Sequence, residues 1–191
     1  MKKIRLGLLL LAALLLPAAL AQATSTTIMM YMCGTDLQSA CVQDMYEMAS
    51  VDVPDEITIA VQAGGAYEWD DSDLTGEAIN RFTITYDAFN ELETLPWASM
   101  AEQQTLYDFI DWAVDAHPAD RYILVLWNHG GGYTGVCFDE TADYDSLTIH
   151  EVNDALYEYS ERNPSFHLDI VGFDACLMAT YEMAAHMAGY A

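Results

Sequence analysis

Two side chains suited to covalent chemistry occupy matching places in this chain. His129 lies in Trp127-Asn128-His129-Gly130-Gly131-Gly132, and Cys176 lies in Gly172-Phe173-Asp174-Ala175-Cys176-Leu177-Met178. A cysteine attacks a carbonyl carbon as the thiolate, and with an ordinary pKa of about 8.5 it is mostly protonated at neutral pH. An imidazole beside it can take that proton. The three glycines after the histidine bring backbone amides with no side chain in the way. Such amides can hold the oxyanion of a tetrahedral intermediate, a contribution worth roughly 3–4 kcal/mol per donor.

The elements that must position these groups are legible around them. Each motif ends a compact apolar run, residues 122–127 before the histidine and 168–173 before the cysteine. Both runs are too short for helices and rich in β-formers, as expected of interior strands of a parallel sheet. Between them, Ile149, Val152, Leu156 and Tyr159 recur at helical spacing, and Thr148 with Glu151 forms a capping box at the start of that helix. A strand, a crossover helix and a second strand make a parallel pair, and functional groups gather beyond the carboxyl ends of such strands. Residues from Leu177 onward are good helix formers, so a helix is expected to start just after Cys176, with its amino end favouring a charged sulfur.

The remainder reads as one α/β domain without repeats or linkers. Strands are expected over residues 27–33 and 56–63. The helix between them, residues 36–49, keeps Leu37, Cys41, Met45 and Met48 on one face. Residues 77–86 alternate like an exposed strand or hairpin arm. Residues 101–116 carry the stripe Leu106, Phe109, Ile110, Ala113 and Val114, and Pro118 ends that helix before the histidine strand.

Composition sets outer bounds. With 191 residues, 53 % hydrophobic and 12 % aromatic, the chain is long and apolar enough for one sizeable core and is not disordered. Lys2, Lys3 and Arg5 precede an apolar run over residues 6–16, and small residues at Ala19, Ala21 and Ala23 offer a cleavage site. Residues 1–23 therefore read as a secretory signal peptide, and residues 24–191 as the exported domain, secreted or periplasmic. The apolar run is too short to span a membrane comfortably. The formal charge of −24 becomes −27 once the leader is removed, which leaves only Arg81, Arg121 and Arg162 as strongly basic residues. That acidity argues against nucleic acid and anionic membranes as partners. Cationic substrates or divalent ions suit it better, although most of these carboxylates read as a solvated surface.

Other features carry less. Asp71-Ser72-Asp73-Leu74-Thr75-Gly76 opens like a calcium loop, but its twelfth position is Phe82 rather than glutamate. His117, His150, His167 and His186 show no zinc spacing and read as surface or helix-end residues. If Cys176 stays free, Cys33, Cys41 and Cys137 are an odd set that allows at most one disulfide. Cys33 with Cys41 is the candidate pair, and burial of both as small apolar residues is the alternative.

Asn128-His129-Gly130-Gly131-Gly132 followed by Asp174-Ala175-Cys176-Leu177-Met178 resembles the clostripain family of cysteine peptidases, relatives of caspases, legumains and gingipains. Residues 31–37 and 135–140 are also similar to family segments. The 47-residue separation of His129 and Cys176 agrees with the caspase-like order, in which the histidine lies about 50 residues upstream. The resemblance implies a three-layer caspase-like α/β fold, a mostly parallel sheet flanked by helices. It also implies an endopeptidase acting on protein or peptide substrates, with Cys176 as nucleophile, His129 as its proton-transfer partner, and the amides of Gly130 and Cys176 as the oxyanion hole. Asp174 would shape the pocket for arginine or lysine before the scissile bond.

No cofactor is required by this resemblance. Some members depend on calcium, which keeps open a loose site at the 71–76 turn or at Asp139, Glu140, Asp143 and Asp145. Members mature by cutting after a basic residue between the two strands, yet residues 130–161 contain no lysine or arginine and Arg162 is the sole candidate. Either no such cut is needed or it follows another residue type. The family continues with further strands past the helix after the cysteine, so the resemblance implies an amino-terminal portion, truncated at Ala191. The alternative reading is a catalytically incomplete acidic domain of the same fold that captures cations or a basic partner. Nothing in the sequence speaks to oligomeric state.

Overall fold

The computed structural model describes residues 24–71 and 73–190. The expected leader, residues 1–23, lies outside the described residues. The chain runs through β1 (Thr26–Cys33), α1 (Gln38–Ala49), β2 (Ile57–Gly64), β3 (Ile79–Thr85), β4 (Ala88–Leu95), α2 (Gln103–Ala116), β5 (Arg121–Trp127), β6 (Val136–Asp139), β7 (Asp145–Leu147), α3 (Ile149–Arg162), β8 (Ile170–Asp174) and α4 (Tyr181–Met187). Six strands form one sheet in the order β4-β3-β2-β1-β5-β8. β2, β1, β5 and β8 are mutually parallel, while β3 and β4 close one side as an antiparallel hairpin.

Period-two alternation along β1 divides its side chains between two apolar layers. Met29, Tyr31 and Cys33 enter one layer, with Leu106, Phe109, Ile110 and Ala113 of α2 and Val152, Ala155, Leu156 and Tyr159 of α3. Met32 enters the other, with Cys41, Val42, Met45 and Ala49 of α1. Helices therefore cover both faces, the arrangement that keeps a parallel sheet out of water. Cys33 and Cys41 lie in these two separate layers, and all four cysteines are free thiols.

Three local expectations change. Residues 77–86 do not form an exposed arm: β3 is largely buried between β2 and β4, and the exposed side chains belong to β4 at the edge. Residues 136–147, where the sequence suggests no strand, contain the two-stranded sheet β6–β7. No helix begins at Cys176. Leu177 adopts a left-handed φ of 64°, and α4 starts only at Tyr181, where Thr180 Oγ1 accepts the Met183 amide at 3.2 Å. The cap and the burial of Met178, which is 3 % exposed, override the helix propensity of the intervening residues. The dipole argument for the sulfur falls with it. The expected capping box of α3, Thr148 with Glu151, is present. No helix among the described residues is long and apolar enough to cross a membrane.

Candidate active site

β5 and β8 are neighbours in the sheet, paired from Ile123–Ile170 to Trp127–Asp174. His129 stands two residues past Trp127 and Cys176 two residues past Asp174, so equal offsets carry both beyond the same end of the same ladder. Adjacent strands lie about 4.8 Å apart. The two loops touch: a Cβ built on Gly130 would lie 2.1 Å from the carbonyl oxygen of Cys176 and 2.9 Å from Cγ of Met178. Only glycine permits that approach. Asn128 N–H also donates to the Asp174 carbonyl at 3.3 Å.

Of the sequence-predicted site residues, His129, Gly130, Asp174 and Cys176 are thus brought together. His129, Asp174 and Cys176 are exposed. Among the described residues, the amides of Gly130 and Cys176 enter no hydrogen bond, whereas Gly131 N–H is already committed to the Gly135 carbonyl at 2.9 Å. Gly132 has a φ of 65°, which turns the chain back toward β6. The Asp174 carboxylate makes no hydrogen bond or ion pair within the described residues. Its backbone carbonyl, not its side chain, ties the loop to β5.

The His129 ring is not hydrogen-bonded to the Cys176 thiol. Its Nε2 lies 2.9 Å from Oδ1 of Asp36, in the turn that follows β1. Asp36 was not singled out from the sequence. Its signal was its place at the end of a strand, but reading it required knowing that β1 lies directly beside β5.

Beneath these exposed groups is a buried polar clamp. Asn128, 4 % exposed, donates from Nδ2 to the Cys33 carbonyl at 2.7 Å and to Thr35 Oγ1 at 3.2 Å, and its Oδ1 accepts the Phe138 amide at 2.8 Å. Thr35 Oγ1 donates to the Phe138 carbonyl. The ends of β1, β5 and β6 are thereby joined through two side chains.

Exposure separates the four thiols. Burial pushes Cys33, Cys41 and Cys137 above the ordinary cysteine value, with smaller contributions from neighbouring acidic groups. Cys176 alone is exposed.

Two carboxylates of the candidate calcium positions already have protein partners. Asp139, fully buried, spends its oxygens on the Met100 amide at 2.7 Å and on Thr141 N and Oγ1 at 2.8 and 2.6 Å. Asp71 accepts from Tyr46 Oη and from the Asp73 amide. Among the described residues, no three His, Cys, Asp or Glu side chains come together as a metal-holding group. A cleft of about 880 Å³ opens beside the Cys176 loop, bounded by Gly131, Tyr133, Ile149, Leu177 and His186. Arg162, the sole basic residue near the interstrand segment, is held at the end of α3 by Glu158 and over the Tyr107 ring at 5.2 Å.

The model of the clostripain family matches residues 30–191. The chain belongs to the clostripain family. Clostripain of Hathewaya histolytica is 28 % identical over 187 residues, an alignment covering 81 % of this chain and 34 % of that protein. Two solved structures share the fold. One is a secreted C11 cysteine protease from Bacteroides thetaiotaomicron in complex with an irreversible peptide inhibitor, at TM-score 0.66, 18 % identity, and coverage of 86 % of this chain and 46 % of that one. The other is an inactive zymogen C11 protease from Parabacteroides distasonis, at TM-score 0.60, 23 % identity, and coverage of 88 % and 47 %. The mostly parallel, helix-flanked sheet is thus the caspase-like fold of these C11 proteases. This clostripain-family chain spans about a third of the curated relative's length and about half of each solved chain.

Proposed function

We propose that this chain carries the nucleophile and its base for an exported cysteine endopeptidase. Cys176 Sγ gives its proton to the His129 imidazole and attacks the scissile carbonyl carbon. The carbonyl π electrons move to oxygen, which the Gly130 and Cys176 amides receive. Collapse of the intermediate breaks the C–N bond, and His129 returns the proton to the departing amine. Water, deprotonated by the same imidazole, then releases the acid from the thioester and restores the thiol.

The observation that carries this reading is the contact of the two loops at Gly130 and Cys176, with His129 and Cys176 each two residues past the Trp127–Asp174 pair. The two uncommitted amides support the oxyanion assignment. The unpaired, exposed Asp174 carboxylate supports a preference for arginine or lysine before the scissile bond, because a guanidinium or ammonium gains a charge-assisted contact there. Protein or peptide substrates follow from family membership. Export is supported by the leader-like composition of residues 1–23 and by the description of the Bacteroides relative as secreted.

The test is hydrolysis of arginyl, lysyl and neutral fluorogenic peptides by the chain and by Cys176→Ala and His129→Ala. Turnover lost in both variants is expected. Turnover unchanged in Cys176→Ala would end the proposal.

A further inference from the structure

The geometry points to Asp36 as a positioning residue that fixes the tautomer and orientation of the His129 ring, so that Nδ1 is the nitrogen left to take the thiol proton. The inference rests on the dyad reading above and deepens it. A carboxylate only accepts hydrogen bonds, so the 2.9 Å contact places the proton of the neutral ring on Nε2. The lone pair then sits on Nδ1, and the imidazolium formed during reaction keeps a counter-charge at Nε2.

Exposure alone would make this pair unremarkable. The two side chains are 46 % and 63 % exposed, and surface ion pairs contribute only about 0–1 kcal/mol to stability. What distinguishes it is the buried layer beneath. Asp36 directly follows Thr35, 1 % exposed, and His129 directly follows Asn128, 4 % exposed. Those two buried side chains are hydrogen-bonded to each other at 3.2 Å and both to the Phe138 backbone, and Asn128 also donates to the Cys33 carbonyl. The preceding turn is tied to β2 through Gly34 N–H to the Gly64 carbonyl and Thr35 N–H to the Gly65 carbonyl, at 2.8 and 2.9 Å. Thr35 holds a φ of 48°, a strained conformation for a β-branched residue that persists only where surrounding bonds over-determine it. The scaffold therefore sets the carboxylate and the imidazole face to face before any substrate arrives, which is how a pre-organised base is built.

This assignment also fits what the pair cannot be. It is too exposed to be a folding element, and it does not join two segments that lack other ties. Its removable part is the orientation of one ring.

The experiment uses the full chain with ¹⁵N-labelled histidine, observed by long-range ¹H–¹⁵N NMR near pH 8.5, where neutral imidazole is the ordinary form. The rate of Cys176 alkylation by iodoacetamide and the melting temperature are measured alongside. The expected result is an Nε2–H signature for His129 that becomes a tautomer mixture in Asp36→Ala. Alkylation of Cys176 is expected to slow at least tenfold, melting to shift little, and Asp36→Asn, which keeps an acceptor oxygen, to recover part of the rate. An Nδ1–H ring in the unsubstituted chain, a tautomer unaffected by Asp36→Ala, or a rate loss that merely tracks a fall in melting temperature would overturn the assignment. Failure of the peptidase reading shows separately, as turnover that Cys176→Ala does not change, while the tautomer still decides the role of Asp36.

Discussion

Trp127 and Asp174 are partners across the β5–β8 ladder, and His129 and Cys176 each follow two residues later. That single register relation converts two distant segments of sequence into one site. A slip by one residue would turn alternate side chains to opposite faces and separate the groups. The rest of the site elaborates it, with Gly130 against the Cys176 carbonyl, Asn128 beneath, and Asp36 alongside from β1.

Gly130→Ala should be more damaging than its size suggests. The added methyl meets backbone 2.1 Å away, so the two loops must part. A displacement near 1 Å in a catalytic geometry costs about 10²-fold. Labelling of Cys176 by an arginyl electrophile is expected to slow by that order, whereas Gly189→Ala, whose added carbon meets nothing within 4 Å, should label like the unsubstituted chain.

The four thiols should sort by burial. A raised thiol pKa means less thiolate at any given pH, so Cys33, Cys41 and Cys137 should resist iodoacetamide in the native chain at pH 7 and through mildly alkaline pH. Peptide mapping should find Cys176 modified first, and all four after denaturation. Equal native reactivity would contradict the two-layer burial.

Asp174→Asn should alter specificity rather than folding, because the carboxylate has no partner among the described residues. Losing a charge-assisted contact of about 1.5–3 kcal/mol corresponds to roughly 10- to 100-fold in kcat/KM for arginyl peptides. Neutral peptides should change little. A uniform loss across both would assign Asp174 a structural role instead.

Asn128→Ala should be felt in stability. It strands the Phe138 amide and the Cys33 carbonyl in a buried setting, at about 1–3 kcal/mol for each unsatisfied group. A fall of roughly 5 °C or more in melting temperature is expected by calorimetry. A fall of less than 1 °C would mean that water replaces the clamp.

The histidine and cysteine strands were legible because their apolar runs, terminal polar residues and intervening capping box all agreed on one βαβ unit. The missing pieces have physical causes. Lateral strand order is set by long-range crossovers, so the insertion of β1 between β2 and β5, and with it the placing of Asp36 beside His129, had no local signal. Helix propensity after Cys176 was real but lost to the Thr180 cap and to Met178 packing beneath Gly130. The β6–β7 pair escaped notice because its strands are four and three residues long and Cys137 has a left-handed φ of 59°. The alternation of β3 suggested one exposed face, but β3 is an interior strand whose Phe82 and Ile84 enter one apolar layer and Ile79 the other.

The most direct test of the central claim is covalent capture by an arginyl peptide carrying an electrophilic ketone, with the modified residue located by mass spectrometry in the unsubstituted chain and in His129→Ala. The account predicts one adduct, on Cys176, forming at least 10²-fold more slowly without the imidazole. An adduct on another cysteine, or a Cys176 rate indifferent to His129, would contradict it.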